Sequence, residues 1–128
     1  MWVWSFGAGG NDPAPYYPGS ANVDWVAFDA YDTTGSPDVS ATLSTPYSQA
    51  VGFGKPILVA ETGASVLIQK PYLDSVVPAL QSKFQAIRGF MYYDATTPNG
   101  SWTLDPVNGL PAFSTMANDP YMLGFGSE

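Results

Sequence analysis

The feature that most constrains the fold is a series of four short apolar segments, each followed by a loop and a longer, less apolar stretch. Apolar runs of about four to eight residues, rich in β-branched side chains, are typical of strands buried in a parallel sheet. Parallel strands need long crossover connections, which the intervening stretches can supply. The sequence therefore predicts an α/β protein with strands at residues 1–5, 23–31, 56–61 and 89–93.

The clearest helical pattern lies between the third and fourth predicted strands. Over residues 70–88, apolar side chains recur at three- and four-residue intervals, which gives a helix one face to pack on the sheet. Pro78 interrupts this pattern and should kink the helix or shift its start. Weaker patterns predict short helices within 44–53 and 109–116, whereas the proline-containing stretch 7–22 is predicted to be a loop.

Length and charge limit the domain count and the class of partner. A chain of 128 residues has room for one hydrophobic core, so a single domain over 1–128 is expected. Its formal charge of −7 argues against nucleic-acid and anionic-membrane partners, because both require clustered lysine and arginine. No apolar run is long enough to span a membrane, and the first residues lack the basic segment of a secretory signal, so localisation stays open.

The strongest chemical signal is Glu61, one of two glutamates, at the end of the third predicted strand. The carboxyl ends of strands in α/β proteins face the ligand crevice. The chain has no histidine and no cysteine, so carboxylates are the obvious acids, bases or nucleophiles, and we expect no metal and no cofactor. The alternative is a structural carboxylate that caps the next helix or pairs with Lys55 or Arg88.

Side-chain alternation predicts which residues accompany Glu61 on its face of the sheet. Tyr31, at the end of the second strand, should meet Glu61 at the same rim. A phenol can orient a carboxylate there by a short hydrogen bond, although a tyrosine with only a packing role is the alternative. The apolar residues predicted on this open face are Val23, Ala27, Ile57 and Val59, while Leu58 and Ala60 are predicted to meet the helices.

Five segments, taken in order, resemble the C-terminal half of glycoside hydrolase family 26, the β-mannanase family of (β/α)8 barrels. They are WVWS (2–5), YYPG (16–19), VDWVAFDAY (23–31), KPILVAETG (55–63) and IRGFMYY (87–93), with Trp102 downstream. The most specific part is the YYPG turn before VDWVAFDAY, combined with KPILVAETG at the expected interval. Together the segments span almost the whole chain.

The resemblance implies a (β/α)4 half of a TIM barrel, equivalent to strands five to eight, with parallel strands and outer helices. It places Glu61 at the catalytic nucleophile, Tyr31 at the tyrosine that supports it, and Trp102 near an aromatic platform that binds substrate. Trp4 and Tyr93 are further candidates for substrate contact. The implied activity is that of a retaining endo-β-mannanase acting on β-mannan or a related β-glycan, and the family is one of secreted enzymes.

One part of the family's catalytic apparatus has no counterpart in this sequence. The acid/base glutamate of the family lies on the fourth strand, in a His-Glu-Met-Asn-Gly-like segment that nothing here matches. A retaining glycosidase needs two carboxyl groups about 5 Å apart, so weak or absent activity is expected of the chain alone. The alternatives are a non-catalytic carbohydrate-binding module, in which Trp2, Trp4, Tyr31 and Trp102 stack on sugars, and a structural half-barrel scaffold.

A half barrel would leave two strand edges and one apolar face uncovered, and such surfaces drive association. The simplest closure is a homodimer with eight strands, and the alternative is a partner chain that carries the other half. In such a dimer Asp94, at the end of the last strand, is a candidate acid/base. Its alternative role is to stabilise a loop by an Asx-turn.

Overall fold

The computed structural model describes residues 1–98 and 100–124. One sheet contains four parallel strands in chain order, which confirms the predicted strands and their direction. The boundaries shift by a few residues from those predicted. The strands are β1 (Val3–Gly7), β2 (Trp25–Tyr31), β3 (Ile57–Gly63) and β4 (Ile87–Phe90).

Helices follow β2, β3 and β4. The first, α1 (Val39–Ala50), begins earlier than predicted because the Asp38 carboxylate caps it, accepting a 2.8 Å hydrogen bond from the backbone nitrogen of Ser40. The predicted helix over 70–88 is divided into α2 (Gln69–Asp74) and α3 (Val76–Ser82). Pro78 lies in the first turn of α3, where a missing N–H is tolerated, so the predicted shift of the helix start is confirmed.

The remaining elements include some that the sequence did not predict. After β4 come a small hairpin, β5 (Thr96–Thr97) with β6 (Gly100–Ser101), and then α4 (Gly109–Ala117) and α5 (Pro120–Leu123). Residues 8–24, all of which the structure describes, connect β1 to β2 with short 3-10 turns and no α-helix. Within the described ranges, no helix is long and apolar enough to cross a membrane.

The hydrophobic core lies between one face of the sheet and the helices. Complete burial of each large apolar side chain contributes roughly 1.5–3 kcal/mol. This face therefore holds the strands in place. Its fully buried members include Val26, Phe28, Ile57, Val59 and Ile87 from the strands and Leu43, Leu73, Val76 and Leu80 from the helices.

A β-bulge in β3 decides which side chains point away from the helices. Phe28 pairs with Val59, but the next residue of β2, Asp29, pairs with Glu61, so Ala60 has no register partner. An extra residue in one strand reverses the alternation of side chains beyond it. Val59 therefore faces the helices, and Glu61 faces the open side.

The bulge corrects the predicted assignment of faces. Leu58, predicted to meet the helices, lies on the open side, paired with Gly89. A Cβ at Gly89 would lie 2.7 Å from Cδ1 of Leu58, so the glycine makes room for this side chain. Ile57 and Val59, predicted on the open face, are buried in the core beneath the helices instead. Ala27 keeps its predicted side, paired with Leu58, and Val23 precedes β2, yet both are buried as well.

Candidate active site

Tyr31 and Glu61 meet at the carboxyl ends of β2 and β3, on the open face. The hydroxyl of Tyr31 donates a hydrogen bond to Oε2 of Glu61, the contact that the sequence predicted. Burial raises the pKa of Tyr31 above its ordinary value, and the hydrogen bond to Glu61 and the negative charges of Glu61 and Asp29 raise it further. The phenol therefore stays protonated near neutral pH and acts as the donor in this pair.

Asp29 is a member of this site that the sequence analysis did not single out. It pairs with Glu61 in the register between β2 and β3. Burial raises the pKa of the Asp29 carboxyl, and the negative charge of Glu61 raises it further. Alternation could have found it, because Asp29 lies two residues before Tyr31 in the same strand. Two carboxyl groups and a phenol therefore converge at one rim of the sheet.

Two aromatic rings flank Tyr31. The ring centroid of Trp102 lies 4.9 Å from that of Tyr31, with 35° between the planes. The ring of Tyr93 lies 6.0 Å from that of Tyr31 and is nearly perpendicular to it, at 87°. Gly63 permits this approach, since a Cβ there would lie 3.0 Å from Cβ of Trp102. The structure thus brings Glu61, Tyr31, Tyr93 and Trp102 together.

Trp4 does not join this cluster. It pairs with Val26 in register, which places it on the helix-covered face. Its ring packs 5.2 Å from that of Tyr17 and 5.3 Å from that of Phe53, measured between centroids. Trp2 is 75% exposed but precedes β1, at the end of the sheet opposite Glu61. The structure therefore places Trp4 apart from the Glu61 cluster, with its ring packed against the core, and its substrate contact stays a prediction that this position does not support.

Asp94 has a structural contact. Its Oδ1 accepts a 2.8 Å hydrogen bond from the backbone nitrogen of Leu104, which ties the loop after β4 to the loop after Trp102. Asp94 therefore stabilises a loop, as its alternative role required, but through a residue ten positions away and not by an Asx-turn. Its acid/base role would require a second subunit and stays a prediction.

The surroundings of Glu61 bear on the alternative that its carboxylate is only structural, as a helix cap or an ion-pair partner. Lys55, one of its two candidate ion-pair partners, donates a 2.9 Å hydrogen bond to the carbonyl oxygen of Ser20 instead. A cavity of about 340 Å³ adjoins Tyr31 between α1 and the loops after β1 and β2, but its lining does not include Glu61. Over residues 1–98 and 100–124, no group of three or more potential metal ligands occurs.

Comparison of the structure finds relatives that sequence comparison does not. No protein-family model matches the sequence, and no curated protein sequence is significantly similar to it. The Bacillus subtilis mannanase man26 superposes with a TM-score of 0.68 and 23% identity, over 98% of this chain and 32% of that chain. The modular endo-β-1,4-mannanase of Cellulomonas fimi, of glycoside hydrolase family 26, gives 0.61 and 27%, over 94% and 31% respectively.

This chain has the fold of part of a family 26 mannanase. An engineered protein of known structure gives a similar match, with a TM-score of 0.66 and 27% identity over 100% of this chain and 32% of that chain. The four parallel strands with their helices match half of an α/β barrel, which confirms the predicted resemblance and fold class. The chain spans only 32% and 31% of the lengths of the two mannanases.

Proposed function

We propose that this half barrel carries the nucleophile side of a retaining β-glycosidase site, with β-1,4-mannan or a related β-glycan as substrate. The observation that carries the proposal is the hydrogen bond from Tyr31 to Glu61 at the open rim, flanked by the ring of Trp102. The structural similarity to mannanases supports the substrate class. Neutral glycans also suit a chain with a formal charge of −7.

In the proposed reaction Glu61 attacks the anomeric carbon of the sugar. We assign the attack to Oε1, because Oε2 accepts the hydrogen bond from Tyr31. An ester forms between Glu61 and the sugar while the glycosidic bond breaks, and the leaving oxygen departs with its electron pair. Water then hydrolyses the ester and restores the carboxylate. Trp102 and Tyr93 supply apolar surface against which a sugar ring can pack.

The second carboxyl group of this reaction comes from outside the four strands. The acid must reach the leaving oxygen on the far side of the scissile bond, whereas Asp29 lies on the strand beside Glu61. General acid catalysis contributes typically 10²–10⁴-fold. We therefore expect very weak hydrolysis of mannan by this chain alone.

We propose that a second copy of the chain supplies the missing strands. In the described sheet β1 and β4 are edge strands, and apolar side chains are exposed at both edges: Val3, in β1, by 41%, and Met91, directly after β4, by 48%. Two copies would pair the edges and give eight strands. Asp94 of one copy would then lie three strands from Glu61 of the other and is the candidate acid/base. The alternative is another chain that carries the other half.

Covalent trapping tests the nucleophile separately from the acid. The probe is a 2-deoxy-2-fluoro-β-mannoside with a dinitrophenolate leaving group, which departs without protonation. We expect the mass of one fluorosugar per chain, located on Glu61 by peptide mapping, and no labelling of Glu61→Gln. Glu128→Gln, which changes the other glutamate, should be labelled normally. Binding of manno-oligosaccharides without labelling would instead support a non-catalytic module. The absence of both labelling and binding would support a purely structural scaffold.

The mass in solution tests the second copy. We expect twice 13.6 kDa, and dissociation or precipitation when Val3→Lys places a charge in the edge strand β1. Val107→Lys changes a valine that is 77% exposed in a loop and should leave the mass unaltered. A soluble wild-type monomer would contradict self-association.

A separate variant tests Asp94 as the acid. Asp94→Asn keeps an oxygen that can accept the hydrogen bond from the backbone nitrogen of Leu104. A loss of residual hydrolysis without a change in mass would therefore support the acid role.

A further inference from the structure

Gln69, at the start of α2, is completely buried, although glutamine is mostly exposed in proteins. Its Nε2 donates hydrogen bonds to the carbonyl oxygens of Ala64, at 3.2 Å, and Thr103, at 2.9 Å. Its Oε1 accepts from the backbone nitrogen of Asp105, at 2.8 Å. One side chain therefore joins the end of β3 to the segment that follows Trp102.

The same segment is fixed at two further points. The backbone nitrogen of Trp102 donates to the carbonyl oxygen of Ala95 at 2.9 Å, and Asp94 accepts from Leu104 at 2.8 Å. Gln69 binds the residues on both sides of Leu104 and the carbonyl oxygen of Ala64, so it links this segment by hydrogen bonds to the end of the strand that carries Glu61. Its position bears directly on how Trp102 lies against Tyr31.

Gly109, the first residue of α4, lies directly against the amide of Gln69. A Cβ at this position would lie 2.1 Å from Oε1 of Gln69 and 3.1 Å from its Cδ. The position is helical, and helices favour alanine over glycine. The need for glycine therefore comes from the buried amide rather than from the backbone.

We propose that Gln69 is a positioning residue that sets the ring of Trp102 against Tyr31 and so shapes the sugar-contacting side of the site. The positioning of Trp102 stands on the hydrogen bonds alone, and only its effect on sugar binding rests on the proposed function. Loss of the amide removes the acceptor of the Asp105 nitrogen and one donor to the buried Ala64 carbonyl. The segment must then shift to find other partners, and Trp102 shifts with it.

Fluorine NMR of protein labelled with 5-fluorotryptophan tests this without any sugar. The chain has four tryptophans, and the resonance of Trp102 is assigned by its loss in Trp102→Phe. Gln69→Met keeps the length of the side chain but removes the hydrogen bonds to Ala64, Thr103 and Asp105. We expect the Trp102 resonance alone to shift or broaden, while those of Trp4 and Trp25 stay in place. An unchanged Trp102 resonance, or an equal change at every tryptophan, would overturn the proposal.

A second variant breaks the same contact from the other side. Gly109→Ala should displace the amide and reproduce the change in the Trp102 resonance. In a Gln69→Ala background, Gly109→Ala should cause no further change in the Trp102 resonance, because the colliding amide atoms are gone. If Gly109→Ala changed the resonance equally in both backgrounds, its effect would not pass through Gln69 and the proposal would be overturned. Gly52→Ala is the control, since a Cβ at that position would meet no atom within 4 Å.

Titration with mannotetraose separates this inference from the proposed function. We expect Gln69→Met to weaken binding about two- to tenfold, the range of one aromatic contact. If the Trp102 resonance moves in the variants but wild type binds no mannotetraose, Gln69 positions Trp102 and the glycosidase proposal fails. Equal binding by wild type and by a variant with a displaced Trp102 would overturn the effect on sugar contact.

Discussion

The helix-covered face of the sheet and its open face consist of residues from the same strands, yet they differ in almost every physical property. Phe28 and Val59, on the covered face, have no exposed surface. Asp29 and Glu61, the next pair along the same two strands, are half-buried and place two carboxyl groups side by side. Burial on the covered face holds the backbone, so the open face can carry groups that oppose folding. The two faces should therefore respond differently to the same substitution.

The largest expected contrast comes from adjacent residues of β3. Val59→Lys places an ammonium in the core and should cost several kcal/mol, enough to unfold a domain of this size. Leu58→Lys directs the same side chain to the open face, where it should leave the monomer folded. Thermal unfolding followed by circular dichroism measures both.

The Leu58→Lys variant also sharpens the comparison. If a second copy closes the open face, this variant should have half the mass of wild type in solution. A loss of stability equal to that of Val59→Lys would show that the two faces are equally closed, against the assignment made from the bulge.

Two tyrosines give the next contrast. Tyr31→Phe removes the hydrogen bond that orients the Glu61 carboxylate and should slow trapping of Glu61 by about 10- to 100-fold, equivalent to roughly 1.5–3 kcal/mol in the barrier. Its Tm should change little, because water can solvate the half-buried carboxylate in place of the phenol. Tyr72→Phe, on the covered face, removes the 2.7 Å hydrogen bond with buried Thr62 and should lower stability by about 1–3 kcal/mol. Trapping should proceed at the wild-type rate in that variant. Equal trapping rates for Tyr31→Phe and wild type would remove Tyr31 from the proposed mechanism.

These contrasts depend on the β-bulge at Ala60, which the sequence alone could not predict. Apolar runs predicted the strands, and side-chain alternation together with the positions at the strand ends predicted that Tyr31 and Glu61 would meet. The alternation argument was nevertheless wrong for Ile57 and Val59, because the bulge at Ala60 depends on pairing with β2 and not on the local sequence. Glu61 faces the open side only because the alternation breaks one residue before it.

Other differences also follow from contacts between distant segments. Trp4 and Trp102 are the same residue type, and only the fold shows that one ring packs near Phe53 and the other against Tyr31. Gln69 gives no signal in the sequence, since its partners lie up to 36 positions away. Asp29, by contrast, could have been predicted from the sequence, because alternation places it on the same face of the strand as Tyr31.

The smallest expected effect concerns the charge of Asp29. Its pKa is raised above the ordinary value of 3.8 by burial and by Glu61, so the folded state retains a proton that the unfolded state releases. Stability therefore falls as pH rises from about 4 through the raised pKa, and the loss persists at higher pH. Asp29→Asn should raise Tm at pH 7, by a small amount because water screens a half-exposed group. The gain should vanish at about pH 3, where the carboxyl is protonated in both states.

Asp38 supplies a control of opposite sign for this last contrast. The hydrogen bond from the backbone nitrogen of Ser40 lowers the pKa of Asp38 below its ordinary value, so its carboxylate stabilises the fold at neutral pH. That contribution disappears as pH falls through the lowered pKa. Asp38→Asn should therefore lower Tm at pH 7, although asparagine still caps α1, and the difference should shrink in acid. If both substitutions lowered Tm at pH 7, Asp29 would be a stabilising charge, and the open face would not carry the electrostatic strain inferred from its paired carboxyl groups.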